Sequence, residues 1–253
     1  MLILDIFAGR AKINEGKLQI KLAQLKYSLP RLTSLNISDN RFGSGAGMRG
    51  PGETKLELNR RIVENNIIKL SRDLEDLKKK RALNRSSRAK NIKPVVSIVG
   101  YTNSGKSSLL NLLAKSDAYV QNELFATLDT TSRNVWLGQN KEIILTDTVG
   151  FINNLPHEFI DAFGSTLEEC VYSDLLLHVV DVSNPNFENH IKVTNDVLKK
   201  IGCSAPFLMV FNKIDKVETF DVPKEINEWV EISVKKQKNI NNLKNKIIQL
   251  LNI

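Results

Sequence analysis

Gly100-Tyr101-Thr102-Asn103-Ser104-Gly105-Lys106-Ser107 reads G-x-x-x-x-G-K-S and narrows the possible folds more than any other stretch of the chain. Its flanks complete it. Val95-Val96-Ser97-Ile98-Val99 is a β-branched run suited to a buried strand, and Leu109, Leu110, Leu112 and Leu113 recur at helical spacing. A strand, a glycine loop and a helix in that order form a phosphate cradle. Gly100 and Gly105 let the backbone curl until successive N–H groups converge on phosphate oxygens, and the helix N-terminus adds partial positive charge. Lys106 supplies a point charge for the β- and γ-phosphates, and the Ser107 hydroxyl suits Mg2+.

Downstream, strands alternate with helices. Residues 134–138 and 142–146 read as strands of a hairpin turning at Gln139-Asn140-Lys141. Helices are expected over 160–171, 187–201 and 240–251, and strands over 175–182, 207–211 and 229–232. This alternation predicts an α/β fold with a doubly wound, mostly parallel sheet.

Three further motifs stand at strand ends. Asp147-Thr148-Val149-Gly150 reads D-x-x-G: Asp147 suits Mg2+ through water, and the Gly150 N–H suits a γ-phosphate. Asn212-Lys213-Ile214-Asp215 reads N-K-x-D. The Asp215 carboxylate only accepts hydrogen bonds, so it fits guanine, whose N1 and N2 present adjacent donors. Lys213 can cover the base plane, Asn212 can tie this loop to the phosphate side, and Ser233-Val234-Lys235 can offer a backbone N–H to guanine O6.

Between the phosphate loop and the hairpin, Phe125-Ala126-Thr127-Leu128-Asp129 leads into Thr130 and Thr131; these three threonines compete as the second Mg2+ ligand, with Thr127 preferred. Phe151 stands where many GTPases carry a water-orienting glutamine, so intrinsic hydrolysis should be slow. Asn103 is a candidate K+ ligand, by position in the loop. His157 reads as a packed or partner-facing residue, and His178 and His190 as structural ones.

The N-terminal third differs. Residues 2–7 read as a strand without nearby partners, a hazard if left as a bare edge. Leu18, Leu22, Leu25, Leu29 and Leu32 give one coiled-coil seam, kinked near Pro30; Leu56, Val63, Leu70 and Leu77, with Ile67 and Leu74, give another. A helical hairpin follows, its tip at Arg41–Glu53 carrying five glycines. Arg81–Lys93 reads as a basic linker. From Lys78 to Lys93 there are eight basic residues and no acid; without them the chain carries 28 basic against 28 acidic residues, so the whole +8 excess sits there. A localised excess points to a polyanion such as RNA, against the plainer reading of a solvated linker. Cys170 and Cys203 have neither disulfide nor metal spacing, and no apolar run approaches the roughly 20 residues of a membrane span.

With these residues in view, the chain resembles the HflX family of ribosome-associated GTPases. The resemblance rests on Leu2-Ile-Leu-Asp-Ile-Phe7, Arg49-Gly-Pro-Gly-Glu-Thr54 with Leu56-Glu57, the phosphate loop, and Asp147-Thr-Val-Gly-Phe-Ile152 with Leu155-Pro-His157. Phe125–Asp129 matches the family's first switch and places the Mg2+ threonine at Thr127; Thr130 replaces the usual proline. The resemblance implies a remnant of an N-terminal domain with its hairpin over 1–93 and a GTP-binding domain over 94–253. Family proteins carry roughly a hundred residues more before this point, so the chain is expected to begin inside that domain. The implied function is GTP hydrolysis with Mg2+ at the large (50S) ribosomal subunit and its rRNA, by a cytoplasmic monomer acting at the ribosome or a membrane surface. Two other readings compete: an RNA-binding module with negligible turnover, and an inactive truncated remnant.

Overall fold

The computed structural model describes residues 8–9, 14–34, 51–88, 93–114, 131–138, 140–151 and 164–253, and these fall into two compact units divided at residues 90 and 91.

The first unit holds two packed helices, α1 (Asn14–Ser34) and α2 (Pro51–Arg88). Gln19, Ile20 and Ala23 are the buried positions of α1, and Leu70 and Leu74 those of α2. Pro51 opens α2, where its missing N–H costs nothing. Pro30 lies inside α1 rather than ending it. The structure corrects the linker: α2 continues to Arg88, so most of the basic cluster is helical. Lysine, arginine, alanine and leucine are good helix formers, and no glycine or proline interrupts Lys78–Arg88. The strand expected at residues 2–7 and residues 41–50 of the tip lie outside the described residues, and the last three tip residues, Pro51–Glu53, open α2.

The second unit is a six-stranded sheet with helices on both faces. In chain order it comprises β1 (Val95–Val99), α3 (Lys106–Ala114), β2 (Thr131–Gly138), β3 (Lys141–Asp147), α4 (Gly164–Val171), β4 (Leu175–Asp181), α5 (Phe187–Lys200), β5 (Phe207–Asn212), β6 (Trp229–Glu231) and α6 (Ile240–Leu251). The strand order is β2-β3-β1-β4-β5-β6, with β2–β3 antiparallel and every other pair parallel. The hairpin is longer than its apolar pattern indicated, because Thr131–Arg133 pair with Leu145–Asp147 although two of those three side chains face solvent.

Strands β1, β4 and β5 are covered on both faces, hence their unbroken apolar runs. One face packs Val96, Ile98, Leu177 and Val210 against Leu109, Leu110 and Leu113 of α3 and Leu243 and Ile247 of α6. On the other, Val180, Met209 and Phe211 form a smaller cluster with Ile191 of α5. The chain leaves β1 toward β3 and later returns to β4 on its other side, so the sheet reverses its winding at β1. Ligand crevices in such sheets open at the carboxyl ends of the strands beside that reversal. Gly100, Asp147, Asp181 and Asn212 all stand there.

The packing of α2 makes an asymmetric prediction. Leu74 is 8% exposed and Leu58 60% exposed. Leu74→Ala should destabilise the helical unit by about 2–3 kcal/mol, and Leu58→Ala by under about 0.5 kcal/mol. Denaturant titration followed by helical circular dichroism measures both; the reverse order would show that α2 buries the opposite face.

Candidate functional site

The phosphate loop is shaped by contacts that exclude side chains. Gly100 adopts φ +146°, and a Cβ there would lie 2.2 Å from the Val179 carbonyl oxygen. At Gly105, φ is +100° and a Cβ would meet the Asn212 amide nitrogen at 2.3 Å. Asn103 is also left-handed, at φ 61°, a conformation asparagine tolerates better than most residues. Thr102 and Ser104 are buried, and Asn103 is exposed. The loop runs directly into α3, whose first residue is Lys106.

Lys106 is buried, and its ammonium donates to the Tyr101 carbonyl at 2.8 Å. Burial pulls its pKa from 10.5 down to about 8, with the Asp147 carboxylate acting in the opposite direction. The lysine therefore keeps its proton at neutral pH. The Ser107 hydroxyl donates to Asp147 Oδ2 at 2.6 Å. A hydroxyl and a buried carboxylate in contact form an all-oxygen donor pair, which suits a hard cation such as Mg2+. Among the described residues no group of three or more His, Cys, Asp or Glu is arranged to hold a metal, so a cation here would depend on this pair and its ligand.

The D-x-x-G stretch is tied to the loop by its backbone. Thr148 Oγ1 donates to the Ile98 carbonyl at 2.6 Å. Thr102 N–H donates to Phe151 O at 2.8 Å, and Phe151 N–H donates to Gly100 O at 3.1 Å. Val149 and Phe151 are buried. Gly150 lies so close to the loop that a Cβ would come within 2.9 Å of Lys106 Nζ and of Thr102 Cα. The Phe151 ring, 3% exposed, has no polar atom with which to orient water.

On the other side of the loop, the Asn212 side chain bridges two segments: its amide nitrogen donates to Ser104 O at 2.9 Å and its Oδ1 accepts from Val234 N–H at 3.2 Å. Lys213 is left-handed at φ 67°, and its ammonium donates to Asn103 O at 2.8 Å and to Asp181 Oδ2 at 2.6 Å. Ile214 begins a short 3-10 turn containing Asp215. Ser233 Oγ donates to Asp215 Oδ1 at 2.5 Å; that bond holds the carboxyl below its usual pKa, assisted by Lys235 and Lys216. Asp215 thus remains an ionised acceptor at neutral pH.

Within Ser233-Val234-Lys235, the Val234 N–H donates to Asn212 Oδ1 and the Ser233 hydroxyl to Asp215, so these two residues orient the N-K-x-D motif. The His190 ring stacks on Tyr101. His178 does fit a packing role, being 1% exposed with its pKa pushed to about 3 by burial and then by the charge of Lys106. Asp181, the partner of Lys213, was overlooked; an aspartate closing an apolar strand, as Asp147 closes β3, was the available signal. Phe125, Ala126, Thr127, Leu128, Asp129, Thr130 and His157 lie outside the described residues; Thr131 begins β2 opposite Asp147.

The sheet order and these strand-end loops define a phosphate-loop GTPase domain. Two family models match the chain: "GTP-binding GTPase Middle Region" over residues 10–88 and "50S ribosome-binding GTPase" over residues 95–213. The GTPase HflX of Caldanaerobacter subterraneus subsp. tengcongensis is 55% identical over 235 residues, covering 92% of this chain and 54% of that protein. The Escherichia coli GTPase HflX is 46% identical over 221 residues, covering 87% of this chain and 52% of the relative. A GTP-binding protein of Sulfolobus solfataricus, solved with GDP, superposes with a TM-score of 0.62 at 30% identity over 99% of this chain and 71% of that one. The chain belongs to the HflX family of GTPases, and it spans about half the length of these HflX relatives.

The contact between Gly105 and Asn212 can be tested. Gly105→Ala forces a side chain into the Asn212 amide at an unfavourable φ, so affinity for a fluorescent GDP analogue should fall at least about tenfold. Unchanged affinity would show that the loop does not hold the nucleotide in this conformation.

Proposed function

We propose that this chain binds GTP and GDP with Mg2+ and hydrolyses GTP slowly. The carrying observation is Asp215: an ionised carboxylate, oriented by Ser233, in a loop locked to the phosphate cradle by Asn212. Such an acceptor selects a base edge with two adjacent donors, which guanine has and adenine lacks.

In this reading the N–H groups of Gly100–Ser107 enclose the phosphates and Lys106 neutralises the β- and γ-phosphoryl oxygens. Ser107 and Thr127 would hold Mg2+, with Asp147 reaching it through water. The cation supplies charge neutralisation at the transferring phosphoryl group. Gly150 presents its N–H to the γ-phosphate, and Phe125–Asp129 are the further nucleotide-binding residues. Hydrolysis adds water oxygen to the γ-phosphorus and breaks its bond to the β–γ bridging oxygen, giving GDP and phosphate. Phe151 cannot orient that water, so acceleration comes from a partner or from a monovalent cation. Asn103, with its exposed side chain and a carbonyl held by Lys213, is the candidate K+ ligand.

The partner is the large ribosomal subunit. Support comes from the match of residues 95–213 to the 50S ribosome-binding GTPase family and from the basic cluster Lys78–Lys93. Because the chain spans about half of its HflX relatives, weak binding and poor subunit splitting are expected. Among the described residues no helix is long and apolar enough to cross a membrane. Sedimentation with purified large subunits tests this proposal. Binding should be stronger with a non-hydrolysable GTP analogue than with GDP, and should fall steeply between low and moderate salt as phosphate contacts are lost. Binding indifferent to both nucleotide and salt would contradict it.

A further inference from the structure

Tyr101, the second residue of the phosphate loop, lies face to face with His190 of α5, with ring centroids 3.7 Å apart and planes within 5°. Tyr101 is a junction. Its carbonyl accepts the Lys106 ammonium at 2.8 Å. Its backbone lies beside Phe151, with hydrogen bonds from Phe151 N–H to Gly100 O and from Thr102 N–H to Phe151 O on either side. The ring that projects from this junction is therefore a handle on the lysine and on the D-x-x-G stretch together.

The path from β4 to His190 is tightly specified. Asp181 closes β4 and accepts from Ser183 N–H and from Ser183 Oγ. Asn184 N–H bonds to Asp181 O, Asn186 N–H to the Asn184 side chain, and Phe187 N–H to Asn184 O, after which α5 begins. His190 N–H then bonds to Asn186 O at 3.1 Å, in the first turn of the helix. The same Asp181 holds Lys213. One strand end thus fixes a residue of the base-side motif and, nine residues on, the ring that stacks on the phosphate loop.

We propose that His190 is a positioning residue for the nucleotide site: its neutral imidazole, stacked on Tyr101, holds the loop segment that carries the Lys106 anchor and the pairing with Phe151. The proposal rests on the nucleotide-binding reading above. His190 stands outside all four motifs and meets the phosphate loop at Tyr101.

The charged groups around the stack decide its pH dependence. Asp181 acts on His190 from the end of β4, with Lys213 paired to that carboxylate, and the Tyr101 ring stacks on it. Burial lowers the His190 pKa below 6.5, and Asp181 opposes the shift. Because the folded value is depressed, the contribution of the stack is complete above the ordinary histidine pKa. It is lost as pH falls through the lowered folded value and the ring takes up a proton.

The test is release of a fluorescent GDP analogue from the full chain, measured in steps downward from pH 7.5 for wild type, His190→Ala, His190→Leu and His190→Phe, with a thermal melt on each. At pH 7.5, His190→Ala and His190→Leu should release GDP about 2- to 10-fold faster than wild type. His190→Phe should match wild type there and stay unchanged as the pH is lowered, whereas wild type should accelerate relative to it once the ring takes up a proton. Should His190→Ala fail to fold, His190→Leu keeps the bulk without the aromatic face and decides the matter. Wild-type rates in the leucine variant, or a phenylalanine variant as fast as alanine, would overturn the proposal while leaving the nucleotide site intact. Failure of wild type itself to bind GDP would overturn the nucleotide reading, and this proposal with it.

Discussion

The Asn212 side chain holds the two halves of the site in register. Its amide grips Ser104 O in the phosphate loop and its carbonyl accepts from Val234 N–H after β6. Asn212 and Ser104 are buried, so losing the bond between them leaves a buried polar group unpaired. The demand travels outward. Gly105 must be glycine because Asn212 occupies the space of its Cβ. Val234 is turned inward, which places Ser233 where its hydroxyl aims Asp215. The spacing between the phosphate loop and the N-K-x-D loop is thus set by one asparagine.

A second layer of positioning comes from β4. Asp181 holds Lys213, Lys213 holds Asn103 O, and the turn after Asp181 directs α5 so that His190 meets Tyr101. The loop is braced from the β5 side by Asn212, from the β4 side by Asp181, and from β3 by the pairing with Phe151. It is held at many points because a glycine loop has little side-chain packing of its own.

The sheet was legible in the sequence because β1, β4 and β5 are covered on both faces and read as unbroken apolar runs between loop motifs. The motifs fixed Gly100–Ser107, Asp147–Gly150 and Asn212–Asp215 because strand-end chemistry needs particular residue types at particular spacings. What escaped had no periodic or compositional mark. Thr131–Arg133 extend β2 through backbone pairing with half-exposed side chains. Arg81–Arg88 looked like a linker because charge suggested solvent, whereas their helix propensity decided the backbone. The Tyr101–His190 stack joins residues 89 positions apart and could not be read from either local stretch.

The central claim is that Asp215 reads guanine through its two adjacent donors. Replacing one carboxylate oxygen with an amide converts an acceptor into a donor, which suits xanthine, whose carbonyl stands where guanine has its amino group. Equilibrium titration of wild type and Asp215→Asn with GTP and with xanthosine triphosphate measures this directly. The account predicts a reversal: Asp215→Asn should lose GTP affinity by about two orders of magnitude and gain xanthosine triphosphate, while wild type shows the opposite preference. Equal GTP affinity in both proteins would contradict it.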